Sequence, residues 1–155
     1  MTHKHTKPVS PVRLPALLRA MPKAELHMHI EGSLEADMIF AMGQRNKVPL
    51  AYPSIEALRQ AYVFDNLQSF LDIYHAGTTV LKTEQDFYDM TDAYLARAQA
   101  DNVLHTEIFF DTQTHTGHGT SVETVINGLH RACADAPARH GMTASLILCF
   151  LRHLS

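Results

Sequence analysis

The chain has 155 residues, 13 Lys and Arg against 16 Asp and Glu, a formal net charge of −3, and 46% hydrophobic residues. That is a core-forming composition of one ordinary domain's length, which excludes an intrinsically disordered chain. The charge offers no electrostatic case for nucleic acid or an anionic membrane surface, and no apolar run reaches the roughly 18–20 residues that span a bilayer.

Residues 1–12 are polar and carry Pro8 and Pro11, the pattern of a flexible tail. They do not read as a secretory signal, because Leu14 to Met21 is short and broken by Pro15. Cys133 and Cys149 lie far apart, so no disulfide framework or cysteine-rich zinc site is implied, and a reducing, cytoplasmic setting fits. The domain proper spans 13–155.

From Pro22 to Ser33, Leu26, Met28 and Ile30 alternate with Glu25, His27, His29 and Glu31, the period-2 pattern of a strand. His27 and His29 then share a face, roughly 6–7 Å apart along the chain. Two imidazoles so placed can converge on one divalent ion, or they can be core histidines with their hydrogen bonds satisfied. His3 and His5 have the same spacing but lie in the polar tail. Gly32 permits a tight turn, and Ser33 is placed to cap a helix over Leu34 to Asn46 with Met38, Ile39 and Met42 on one side.

Pro49 and Pro53 punctuate a loop, after which Ser54 caps a short helix bearing Ile55 and Leu58. Leu67 to His75 is amphipathic and ends near Gly77, with Phe70, Leu71 and Tyr74 as its packing residues. The longest helix runs from Thr83 to Asp101. Thr83-x-x-Asp86 opens it as a variant capping box, and Phe87, Met90, Tyr94 and Leu95 form its buried stripe.

Val103 to Phe110 is a second strand, followed by a turn-rich stretch from Asp111 to Gly119. His105 reads as structural, His115 and His118 as exposed loop residues, and Asp111, at the strand's end, as a residue lining the site. Ser121 to Ala136 is helical, with Pro137 and Gly141 ending it. Thr143 to Leu151 is a nearly continuous apolar run, as a strand covered on both faces would be. The order is a βα series with a helical insertion after the first strand, which predicts a parallel α/β layout.

The run Pro22-Lys23-Ala24-Glu25-Leu26-His27-Met28-His29-Ile30-Glu31-Gly32-Ser33-Leu34 resembles the first-strand signature of the adenosine/adenine deaminase family of zinc hydrolases. The likeness continues through Leu67 to Tyr74, Glu107 to His115 and Ser145 to His153, and covers about residues 13 to 155. It implies the N-terminal part, the first three strands, of a (β/α)₈ TIM-type barrel with active-site groups at the C-terminal ends of its strands. By the resemblance His27 and His29 are metal ligands for one Zn2+, Phe70 belongs to an apolar flap over the substrate, and Glu31 is a second candidate substrate contact. Glu31 reads equally well as a carboxylate at a helix start, stabilised by the local dipole.

The family takes its remaining zinc ligands and its proton-shuttling glutamate and histidine from later strands. No catalytic residue is therefore expected before Ser155, and this piece alone is expected to be inactive. A whole barrel needs about 250 residues, so the remaining barrel half is required, from a longer chain or a second polypeptide. The partner implied is a small-molecule purine, with Glu31 and the stretch Phe109 to His115 favouring adenine over adenosine. Another His-x-His barrel amidohydrolase and a non-catalytic piece needing a partner chain are the alternatives.

Overall fold

A computed structural model describes residues 11–63 and 66–151. The sequence reading of residues 1–10, with His3 and His5, and of 152–155 lies outside the described residues. A short helix α1 (Leu14–Ala20) precedes the first strand. Strands β1 (Lys23–His29), β2 (Val103–Asp111) and β3 (Thr143–Cys149) form one parallel sheet in the order β1-β2-β3. Between β1 and β2 lie a 3-10 turn at Ile30–Ser33 and helices α2 (Ala36–Asn46), α3 (Ile55–Ala61), α4 (Leu67–Thr78) and α5 (Glu84–Ala100). Helices α6 (Thr112–Thr116) and α7 (Val122–His140) connect β2 to β3. Every crossover is helical, as parallel neighbours require.

The first strand is not a regular alternation. Glu25 lies opposite Thr106 and Met28 opposite Ile108, so three steps on β1 match two on β2. One extra residue in β1 makes a bulge, which re-aims the side chains on either side of it. Glu25 turns toward α5, where its Oε2 accepts a hydrogen bond from the Tyr94 hydroxyl at 2.6 Å. His27 and His29 turn the other way, against Phe109. The plain period-2 reading put all three on one face. It missed the bulge because the residues at fault, Leu26 and His27, look ordinary in a strand.

Thr106, Ile108 and Phe110 on β2 are buried, and Ile108 and Phe110 join Phe87, Met90 and Leu95 of α5 and Val125, Leu129 and Ala136 of α7 in one continuous core. Each large apolar side chain buried there contributes about 1.5–3 kcal/mol. The helices are held by their ends as well. In the capping box of α5, Thr83 Oγ1 accepts the Asp86 N–H at 3.3 Å while Asp86 Oδ2 accepts the Thr83 N–H at 2.7 Å. Ser121 caps α7, and Gly141 ends it at φ 65°, a left-handed backbone that costs glycine nothing.

The structure differs from the sequence reading at several points. Ser33 sits in the 3-10 turn, and α2 starts two residues later, after Glu35. Gly77 lies inside α4, where a Cβ would come within 3.1 Å of Ile39 Cδ1, so close packing accounts for it. Pro137 lies inside α7 rather than ending it; the helix runs one further turn, and the Pro137 carbonyl accepts the Gly141 N–H. Strand β3 is only partly covered. Ala144 and Leu146 pack on the core, while Leu148, on the same face of the strand, is 44% exposed. Among the described residues no helix is long and apolar enough to cross a membrane.

Candidate metal centre

His27 and His29 close β1 at its C-terminal end, with ring centroids 5.6 Å apart. Phe109 of the neighbouring strand, in register with His29, stacks on both rings at 4.3 and 5.5 Å. It is a flat platform that brings the two imidazoles to one place. Both are exposed to a cavity of about 830 Å³, whose other walls include Met28, Leu34, Phe70, Leu71, Tyr74 and Asp111.

Asp111 stands at the end of β2, two residues beyond the partner of His29 and so on the same face. Its Oδ2 lies 3.5 Å from His29 Nδ1. Burial pushes its carboxyl above the usual aspartate range, as does the charge of Glu31, while His29 pulls the other way. A carboxylate on Nδ1 fixes the tautomer of an imidazole and leaves Nε2 to bind a metal. The donor set therefore fits a cation that takes two imidazole nitrogens, with a carboxylate behind one of them.

His29, Glu31 and Asp111 also bring ligand atoms within 4.8 Å of one another. Glu31, however, is only 2% exposed and both its oxygens are in use. Oε1 accepts the Asp111 N–H at 3.0 Å and the His115 Nε2–H at 3.1 Å, and Oε2 accepts the Tyr74 hydroxyl at 3.1 Å. Burial and the adjacent Glu31 charge raise the Tyr74 phenol well above its ordinary value, so it stays a donor. The structure thus places Glu31 beneath the cavity, apart from the lining residues among which Phe70 is found.

His115 is a plain correction. It was expected in solvent but is 1% exposed, because α6 begins directly after Asp111 and swings the ring inward onto Glu31. Its ring stands edge-on to Phe87 at 4.8 Å. His118 is exposed, as the turn-rich composition suggests. His105 lies toward the far end of β2, its Nδ1 2.7 Å from Thr143 Oγ1.

Residues 22–155 match the family model described as adenosine deaminase. The chain belongs to the adenosine deaminase family. It is 73% identical over 149 residues to an adenine deaminase of Albidiferax ferrireducens, across 96% of this chain and 43% of that one. An adenine deaminase of Trichlorobacter lovleyi is 65% identical, across 92% of this chain and 41% of its own length. Among solved structures, an adenine deaminase from Arthrobacter aurescens superposes with a TM-score of 0.85 at 51% identity, over 88% of this chain and 42% of that one. An amidohydrolase from Burkhoderia ambifaria, crystallised with bound zinc, superposes with a TM-score of 0.74 at 25% identity, over 94% of this chain and 40% of that one. The chain spans less than half the length of these relatives, and its three parallel strands are part of a TIM-type barrel.

Proposed function

We propose that the full-length protein carrying this chain is a zinc-dependent hydrolase that converts adenine and water to hypoxanthine and ammonia, in cytoplasmic purine salvage. The observation that carries the reading is the His27–His29 pair, gathered on Phe109 at the C-terminal end of a parallel strand. The choice of adenine is supported by the high identity to adenine deaminases.

In this reading His27 and His29 hold the metal, which when bound supplies Lewis acidity able to ionise water near neutral pH. Asp111 keeps the proton of His29 on Nδ1 and so keeps Nε2 available. Phe70, Leu71 and Tyr74 on α4 offer a wall with two aromatic rings. A planar purine can lie against it, and the wall keeps bulk water from the reacting face. Glu31 serves the site from below, by holding the groups that face the cavity. The net reaction breaks the C6–N bond of the exocyclic amine and forms a C6–O bond. The remaining ligands and the proton-transfer groups come from outside this chain.

The test is metal content and turnover of the full-length protein, with H27A and H29A beside it. One zinc per active site, lost in both variants, and faster turnover of adenine than of adenosine support the proposal. Turnover that survives chelation, or a preference for adenosine, overturns it.

A further inference from the structure

Glu31 and His115 lie outside both the ligand pair and the cavity wall, yet they are among the most deeply buried polar residues described. A carboxylate taken out of water is costly unless its lone pairs are satisfied. Glu31 is satisfied by three donors from three places: Asp111 at the end of β2, His115 in α6 and Tyr74 in α4. It sits itself two residues beyond His29, in the turn that leaves β1. One side chain therefore joins the exit of the histidine strand to the elements that surround the cavity.

Two of the three bonds fall on the same oxygen. Oε1 accepts from the backbone of Asp111, whose carboxylate faces His29, and from the His115 ring. A carboxylate oxygen only accepts, so Nε2 of His115 carries the hydrogen. His115 Nδ1 has no hydrogen-bond partner among the described residues, leaving the ring with one polar anchor and the edge-on contact with Phe87. We propose that His115 and Glu31 form a buried positioning pair that sets Asp111 and, through it, the ring plane of His29, so that metal affinity depends on the His115 Nε2–H. This rests on the reading of His27 and His29 as ligands. Neither His115 nor Glu31 touches the metal in it.

The two amide residues separate this role from packing. In His115→Gln the side-chain nitrogen falls near the position of Nε2, and in His115→Asn near that of Nδ1. H115Q therefore keeps a donor for Glu31 and H115N does not, while His115→Phe keeps the ring shape without either nitrogen. The full-length apoprotein of each variant is titrated with Co2+, read by its visible absorption, and with Zn2+ against a chromophoric chelator. The melting temperature of each apoprotein is recorded alongside.

Loss of an outer-shell partner weakens metal binding about 10–100-fold. H115N and H115F are expected to show a loss of that size with an altered Co2+ band, and H115Q a Kd within about 3-fold of the parent. Should H115F fail to fold, the H115N–H115Q pair decides alone. Equal Kd values in the parent and H115N overturn the inference, as does an equal loss in H115N and H115Q, which would make the role packing. If H27A and H29A abolish uptake while H115N and H115F leave it intact, only the positioning role falls. If the parent takes up no metal, the metal-centre reading falls and takes the positioning role with it.

Discussion

At Gly128 the backbone of α7 packs directly against α5. A Cβ built there would lie 2.4 Å from the Glu84 carbonyl oxygen and 2.6 Å from Phe87 Cβ. Neither atom is the far end of a flexible side chain, so a methyl group must push the helices apart. Gly128→Ala therefore sets two effects against each other. Helix propensity favours alanine by about 1 kcal/mol. Overpacking a tight contact costs about 1–3 kcal/mol, and with backbone on the other side the upper end applies. The difference is a net loss of about 2 kcal/mol; at about 2.1 cal/mol/K of unfolding entropy per residue, in a protein more than twice as long as this chain, that is roughly 3 °C in Tm. Thermal and urea unfolding of the full-length protein measure it. Phe87 supports the edge of the His115 ring, so the displacement also reaches the floor of the metal centre. A Tm that rises with G128A, as propensity alone dictates, would refute the close approach of the two helices.

Removing the metal from the full-length protein with a chelator should lower its Tm, because a ligand at 100 times its Kd stabilises the folded state by about 2.7 kcal/mol; an unchanged Tm would speak against a metal bound in the native state. Tyr94→Phe removes a hydroxyl held between Glu25 Oε2 at 2.6 Å and Thr106 Oγ1 at 2.7 Å. It should cost about 1–3 kcal/mol in denaturant unfolding, and a neutral effect would contradict the bulge that turns Glu25 toward α5. Asp86 is subject to opposing effects: burial raises its pKa, but bonds from Thr83, Lys82 and Asn46 outweigh that and hold it below the ordinary 3.8. Its ionised form therefore stabilises the fold fully above 3.8, and that contribution is lost as the pH falls below 3.8 through the folded pKa. Asp86→Asn should be less stable than the parent at pH 7, with the gap closing in acid; a gap that persists in acid would locate the effect elsewhere.

What was legible in the sequence was what short range decides. The capping box at Thr83 and Asp86 and the glycine end of α7 depend on neighbours a few residues away and are present as read, and the His27 and His29 rings, two residues apart in sequence, lie 5.6 Å from each other. Asp111 was placed at the site from topology, since residues at the C-terminal ends of parallel strands face the same opening. Pro137 shows the limit of a local rule. Proline removes one N–H and crowds the preceding turn, but so near the end of α7 the helix still continues past it.

The partners of Glu31 and the burial of His115 escape the sequence for a different reason. Glu31 meets its three donors 43, 80 and 84 residues along the chain, and no window of sequence contains both ends of such a bond. For His115 the local composition also points the wrong way, since a histidine among threonines, glutamine and glycine looks solvated. The burial of both residues is a property of the assembled layer, in which the β1 exit, α4 and α6 all terminate on one carboxylate. A polar cluster of this kind is expensive to leave half-satisfied. Any rearrangement of α4 or α6 must therefore either keep its bond to Glu31 or expose that carboxylate to water. Such a constraint acts directly beneath the histidine pair: the Tyr74 bond ties α4 to Glu31, and Phe70, one turn earlier, packs against the Tyr74 ring at 5.9 Å.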